Sequence, residues 1–351
     1  MRPDASMARR RTTMPKRISV VIPFFQRKRG LLREAVRSVA CQYLPWSAEV
    51  ELIVVDDGSP VAAQLDLDNL ALPDWIRLRI LRQANAGPAA ARNHGLDALS
   101  PDSGYIAFLD SDDQWSTHHL AWGIDTLGTA HDFYFCDSAM PPTTMFAAMA
   151  FFQALPAQQG VELLDGTRGT YRFVGTSGGS SMVRDYLCQT SSVILRRSAV
   201  GSLRFEESLR YAGEDWLMWA RIAHRARGIC FSLSANSLRG EGINLYRDAH
   251  ERLGGRNLRR ILSMIRANEL MGAIDGIDAQ SLMLTQQRRR SFQMELAAIL
   301  MHPRLYLGLM DRLQRAMIAR AYRHLWRDLP GYWTEILRRK LRPAGMPEVP
   351  A

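Results

Sequence analysis

Lysine is almost absent from this 351-residue sequence: Lys16, Lys28 and Lys340 stand beside forty-two arginines. None of the three lies in G-x-x-x-x-G-K-[ST], which excludes a P-loop. "PFFQRKRG", after the first apolar run, cannot supply the G-x-G-x-x-G of a dinucleotide-binding turn. Cysteine is sparse and scattered, at Cys41, Cys136, Cys188 and Cys230, with no C-x-x-C pair. Neither a zinc site nor a disulfide framework is expected, in keeping with a reducing compartment. No apolar run reaches the ~18 residues of a spanning helix. The apolar stretch 18–25 carries Pro23, meets "QRKRG" and shows no small-residue cleavage site, so the basic start is not read as a signal peptide or twin-arginine leader. The expectation is a cytoplasmic protein, with a peripheral position on the inner face of a membrane left open.

What is present is globular in kind, with 47% hydrophobic and 23% charged residues. The net charge of +10 is unevenly spread: residues 1–17 carry +5, residues 251–351 carry +9, and the stretch between carries −4. This suggests a basic N-terminal tail (1–17), an α/β body (18–247) and a basic helical C-terminal region (248–351). The basic ends show no zinc, RRM or KH signature, and the body is mildly acidic, so nucleic acid is not the expected partner.

The first 130 residues alternate strand and helix. "ISVVIPF" (18–24), "VELIVV" (50–55), "IRLRIL" (76–81) and "YIAFL" (105–109) read as strands. "LLREAVRSVACQ" (31–42) and "GPAAARNHGLDAL" (87–99) read as helices. Such alternation predicts a mostly parallel sheet, and ligands bind at the carboxyl ends of its strands. "PPTTMFAAMAFFQALPAQQG" reads as an apolar helix or interfacial segment, and "GTRGTYRFVGTSGGSSMVRD" as a flexible loop. "QTSSVILRRSAV" (189–200) gives a strand and a helix start, and "YAGEDWLMWARIAHRARG" (211–228) puts Trp216, Trp219, Ala220 and Ala223 on one helical face. Beyond residue 248 the pattern is helical, including a stripe of Leu309, Leu313 and Met317 opposite Arg312 and Arg315.

Three polar clusters fall at strand ends: Gln26–Arg27, Asp56–Asp57–Gly58–Ser59 and Asp110–Ser111–Asp112. With the two phosphate-binding loops excluded, carboxylates holding a divalent cation would handle a diphosphate instead. In an extended strand end, residues i and i+2 point the same way, so Asp110 and Asp112 are expected to converge on one ion. Asp113 or Ser116 is read as the cap of the next helix.

"SVVIPFFQR", "VVDDGS", "NAGPAAARNHGL", "FLDSDD" and "GED" before an aromatic-rich helix together resemble family 2 glycosyltransferases of the GT-A fold, in order and spacing, over residues 18 to 225. The resemblance implies an inverting transferase moving a sugar from a nucleotide-diphosphate sugar, a UDP-sugar first, to an acceptor hydroxyl. It implies that Pro23 and Phe25 line the nucleobase pocket and that Asp57 accepts from the base edge. Asn85, Gly87 and Arg92 would belong to the donor site, with Arg92 facing the sugar-diphosphate. Asp110 would meet the ribose or a metal-bound water, and Asp112 would ligate Mg²⁺ or Mn²⁺. Asp215 would be the general base, with Glu214 on the acceptor side. Plainer roles stand beside these: core packing for Phe25, a turn acid for Asp57, a structural ion pair for Arg92, and helix-dipole acids for Glu214 and Asp215.

The sequence departs from the family in lacking the Q-x-x-R-W of processive members, so one sugar per acceptor is expected. "QRKRG" also replaces the common Asn-Arg after the first strand. The acceptor would be a saccharide or lipid-linked saccharide in bacterial surface polysaccharide or glycoconjugate synthesis. A nucleotidyltransferase acting on sugar phosphates, or a nucleic-acid-binding protein, are the alternatives. The basic C-terminal region, with Tyr332 and Trp333, is expected either to dock on anionic membrane, aided by the apolar 145–152 segment, or to pack on the rest of the protein or on a second copy in a homo-oligomer.

Overall fold

The computed structural model describes residues 16–155, 158–240, 255–300 and 323–340. In chain order the elements are β1 (Lys16–Phe24), α1 (Leu31–Ala40), β2 (Ala48–Asp56), α2 (Ala63–Asp66), β3 (Ile76–Arg82), α3 (Pro88–Asp97), β4 (Tyr105–Phe108) and β5 (Gln114–Trp115). They continue with α4 (His119–Leu127), β6 (Phe133–Met140), β7 (Thr143–Thr144), α5 (Ala150–Gln153), β8 (Val161–Asp165), β9 (Thr170–Phe173), α6 (Ser177–Arg184), β10 (Ile194–Arg196) and α7 (Arg197–Val200). Then come α8 (Glu214–Ala223), β11 (Ile229–Leu238), α9 (Gly255–Gly272), α10 (Ala279–Leu300) and α11 (Arg323–Lys340).

These elements form two units, and the span 18–247 contributes to both. The first holds the whole sheet, in the order β3-β2-β1-β4-β10-β6-β11-β9-β8. Its longest pairings, β1 with β2, β2 with β3 and β6 with β11, are parallel, as is β1 with β4. β10 runs antiparallel to both its neighbours, β4 and β6. Strands covered on both faces carry near-continuous apolar runs, and Val20, Val21 and Ile22 of β1 are fully buried. In α1, Leu32, Ala35, Val36 and Val39 repeat at helical spacing and bury one face. Its start is capped from α2, where Asp66 accepts from the backbone N–H groups of Gly30 and Leu32. α3 lies so close to β1 that a Cβ on Gly95 would sit 2.4 Å from Val21 Cγ1.

The segment read as an apolar helix or interfacial stretch is instead the short β7, one 3₁₀ turn and α5. Phe146, Phe151 and Phe152 are buried. They pack among Phe135, Phe173 and Phe231. The side chains that would meet lipid are inside the fold. The stretch read as a flexible loop is ordered too, as β9 and α6. Its small residues serve close packing: a Cβ on Gly179 would lie 3.2 Å from the His224 ring.

The second unit contains α6, α8, α9, α10 and α11. Leu258, Ile261, Leu262 and Ile265 of α9 meet Leu296, Ala297 and Ile299 of α10. Tyr332 and Trp333 of α11 join this core, the first donating to Gln293 Oε1 at 3.0 Å and the second to the Ala297 carbonyl at 3.2 Å. Among the described residues no helix is long and apolar enough to cross a membrane. The stripe at Leu309, Leu313 and Met317 and the expected boundary at 247/248 lie outside the described residues.

Candidate active site

The carboxyl edge of the sheet brings the strand-end residues together in the first unit. β1 ends with Phe24 in the core, while Pro23 and Phe25 keep part of their surface exposed. Gln26, one residue on, is buried. Its amide nitrogen donates to Ser111 Oγ at 3.2 Å, and its backbone N–H and C=O both bond the Ser59 hydroxyl. One residue, through its backbone and its side chain, therefore ties the ends of β1, β2 and β4. This gives the "QRKRG" departure a structural role.

Asp56 and Asp57 divide their work. Asp56 is internal, accepting from the backbone N–H groups of Ser59 and Ala63 to fix the turn and start α2. Asp57 faces the next loop. Its Oδ1 accepts from Gln83 Nε2 and the Ala86 N–H, both at 2.8 Å, and its Oδ2 from Asn85 Nδ2 at 3.1 Å and the Gly87 N–H at 2.9 Å. A carboxylate offers about four acceptor positions, and these four donors match that number. Asp57, Asn85 and Gly87 thus form one braced loop in which a base edge can reach Asp57 only by displacing a present donor.

Residues 110–113 form a β-turn closed by a 3.0 Å bond from the Asp113 N–H to the Asp110 carbonyl, so Asp110 and Asp112 do not share the face of an extended strand. Asp110 Oδ1 instead accepts from Arg92 Nη2 at 2.8 Å, an ion pair with Arg92 buried to 5% side-chain exposure. Asp113 is no helix cap: helix α4 has no side-chain cap. Asp113 Oδ2 accepts from Gln189 Nε2 at 2.5 Å and Ser191 Oγ at 2.6 Å, and Oδ1 from the Gly240 N–H at 2.9 Å. Ser116, the other cap candidate, donates its hydroxyl to Asn236 Oδ1. Burial, then repulsion from Asp110 and Asp112, pushes the Asp113 carboxyl up to about 7 against the bonds from Ser191 and Gly240. Crowded acids of this kind favour a nearby cation.

Among the described residues no three His, Cys, Asp or Glu side chains are grouped to hold a metal by themselves. Two carboxylates completed by substrate phosphates and water are a usual Mg²⁺ arrangement, however. Asp110 and Asp112 both lie near enough to repel Asp113, and two such carboxylates are the kind of donor that an ion of this type takes from protein.

Gln83, Gln189, Ser191 and Gly240 were not singled out by sequence reasoning. Gln189 and Ser191 precede β10, whose reversed direction puts its beginning beside the ends of the parallel strands. No local pattern signals this.

In the second unit, Gly213 has φ +84°, a left-handed conformation, and a Cβ there would lie 2.9 Å from Ala267 Cβ on α9. Glu214 and Asp215 open α8, which buries Trp219 against Phe205. Asp215 Oδ1 accepts from the Trp216 N–H at 2.7 Å, and Oδ2 from the Tyr186 hydroxyl at 2.5 Å.

Known proteins share this fold. The pattern of Glycosyl transferase family 2 matches residues 19–139. The S. aureus TarS 1–349 structure in complex with UDP-GlcNAc shares the fold, with TM-score 0.58 and 18% identity over 92% of each chain. So does mannosyltransferase PcManGT from Pyrobaculum calidifontis in complex with GDP-Man and Mn²⁺, at TM-score 0.51 and 14% identity over 92% of this chain and 86% of that one. The succinoglycan biosynthesis protein ExoW of Rhizobium meliloti (strain 1021) is 30% identical over 247 residues, or 66% of this chain and 70% of ExoW. Likeness sustained over that length, on a GT-A sheet with its acids at the strand ends, makes this chain a member of glycosyl transferase family 2 and a glycosyltransferase.

Proposed function

We propose that the enzyme is inverting and metal-dependent, and moves one sugar from a nucleotide-diphosphate sugar, a UDP-sugar first, to the hydroxyl of a saccharide or lipid-linked acceptor in bacterial surface polysaccharide or glycoconjugate synthesis. The observation that carries this reading is the acidic turn 110–113, braced by Arg92, Ser191 and Gly240 at the carboxyl edge of a parallel sheet. The complexes of the two structural neighbours, UDP-GlcNAc in one and GDP-Man with Mn²⁺ in the other, support the donor class and the cation. The polysaccharide role draws support from ExoW. In this reading residues 18–247 hold the catalytic machinery.

Pro23 and the half-exposed Phe25 receive the nucleobase, and the Asp57–Asn85–Gly87 loop shapes the pocket beside them. Asp110 and Asp112 would hold Mn²⁺ or Mg²⁺, which would supply positive charge for the leaving diphosphate. Arg92 orients Asp110. Asp215 takes the proton of the acceptor hydroxyl while that oxygen bonds the anomeric carbon and the bond to the diphosphate oxygen breaks. The nucleotide diphosphate departs with the bonding electrons, and one displacement inverts the centre. Glu214 meets the acceptor.

For the C-terminal helices, the packing of Tyr332 and Trp333 on α10 favours a structural part. Docking on anionic membrane then rests on charge, and co-sedimentation with anionic and neutral liposomes at low and high salt measures it. The deciding test of the whole reading is a thermal-shift panel of UDP-, GDP- and dTDP-sugars with and without Mn²⁺. A donor at ~100 times its Kd should add about 2.7 kcal/mol of stability. A UDP-sugar that raises Tm only with Mn²⁺ supports the reading, and no shift with any sugar nucleotide overturns it.

A further inference from the structure

Helix α6 ends without leaving an orphan carbonyl, although its last four lie beyond intrahelical reach. Ser181 O accepts from the Asp185 N–H at 2.8 Å. Met182 O accepts from the indole Nε1 of Trp216 at 2.6 Å. Val183 O and Arg184 O both accept from the guanidinium of Arg288, the first at 2.8 Å. Arg288 comes from α10, more than a hundred residues away in sequence, and its guanidinium also lies over the Trp216 ring at 5.0 Å. The chain then delivers Tyr186, whose ring meets Trp216 edge-on at 6.2 Å and whose hydroxyl donates to Asp215 Oδ2. The circuit closes on one carboxylate: Trp216 follows Asp215 directly and gives its backbone N–H to Oδ1.

We propose that Tyr186 is a positioning residue for the Asp215 carboxylate, and that Arg288 holds Tyr186 in place by capping α6, so that the C-terminal region is a working part of the catalytic centre. This rests on the reading of Asp215 as the general base. A carboxylate on the first turn of a helix can rotate about its side-chain bonds. A phenol donating to one oxygen and a backbone N–H to the other fix its plane, and with it the direction from which a proton can be taken. Arginine suits the remote support because its planar fork serves two adjacent carbonyls at once while stacking on an indole. Neither Tyr186 nor Arg288 lies in a motif that marks the family.

The experiment uses the full chain, Mn²⁺ and whichever UDP-sugar shifts Tm most, and follows UDP release with water as acceptor over a range of donor concentrations. Tyr186→Phe removes a single oxygen. Its Tm and donor-induced shift should match wild type, while kcat falls roughly 10-fold or more. KM for the donor should stay near the wild-type value, so that the loss is carried by kcat. Arg288→Gln should lower kcat the same way by less, and the double variant should fall short of the product of the single losses. A Tyr186→Phe enzyme with wild-type kcat overturns the proposal, and it does so alone if Arg288→Gln loses its melting transition. Asp215→Asn separates the two levels. If Asp215→Asn is inactive while Tyr186→Phe is unaffected, the positioning role fails and the base survives. If Asp215→Asn releases UDP at the wild-type rate, the base reading itself fails.

Discussion

Asp110 and Asp215 both hold one carboxylate oxygen against a single strong donor, yet the two are supported in different ways. Asp110 sits at the end of β4, and Arg92 reaches it from α3, the helix just before that strand in a regular strand–helix alternation. Asp215 opens a helix, and its partner hydroxyl comes from an irregular stretch that is itself fixed by α10. The sheet edge collects its chemistry through topology, because parallel strands end on one side by construction. The helical unit has no such edge and must place each group through individual side-chain bonds. Sites of the first kind should tolerate loss of a single contact outside the chemistry, and sites of the second kind should not.

Predictions that test this contrast begin with the largest effect. Asp112→Ala should abolish Mn²⁺-dependent donor stabilisation and turnover while Tm without ligand stays near wild type, since topology holds the turn. Turnover that persists in EDTA would break the sheet side of the contrast. Asp215→Asn should keep the donor-induced shift and lose something like 10²–10⁴-fold in transfer. Gly213→Ala asks how tightly the helical unit is drawn. A left-handed residue given a Cβ loses about 1–2 kcal/mol, and contact with Ala267 adds to that. Urea unfolding should show this loss, and an unchanged midpoint would mean that α9 yields easily. The smallest effect concerns His119, which burial holds neutral, pushing its value down from the ordinary 6.5 to about 3. An unfolded chain gains that proton below pH 6.5 and the folded chain does not, so the stability is present above 6.5 and lost as pH falls toward 3. His119→Phe, keeping a ring against Trp115, should reduce the fall in Tm between pH 7 and 4.5 by on the order of 3 °C.

The same contrast explains what could be read from the residues. Strands β1, β2 and β4 were legible because a strand buried on both faces writes an uninterrupted apolar run, and the edge strand β3 because "IRLRIL" alternates. Asp113 was misread as a cap because its partners, Gln189, Ser191 and Gly240, lie 76 to 127 residues away. α6 was misread as a loop because "GTSGGSSMVR" looks like a linker, whereas Gly179 makes room for His224. The aromatic run at 146–152 was left between an apolar helix and an interfacial segment because composition cannot tell a ring that meets lipid from one that meets Phe231.

The bond between Asp113 and Gly240 also has a meaning in time. Gly240 follows Asp113 by 127 residues, and a ribosome adding ~5–20 residues per second takes on the order of ten seconds to make them. Until Gln189, Ser191 and then Gly240 emerge, the nascent chain has Arg92 for Asp110 but none of these donors for Asp113. Strands β1 to β4 can pair during that interval, so the sheet precedes its own acidic turn. A chain stalled before residue 189 would carry a formed sheet edge and an Asp113 whose three donors are still to come.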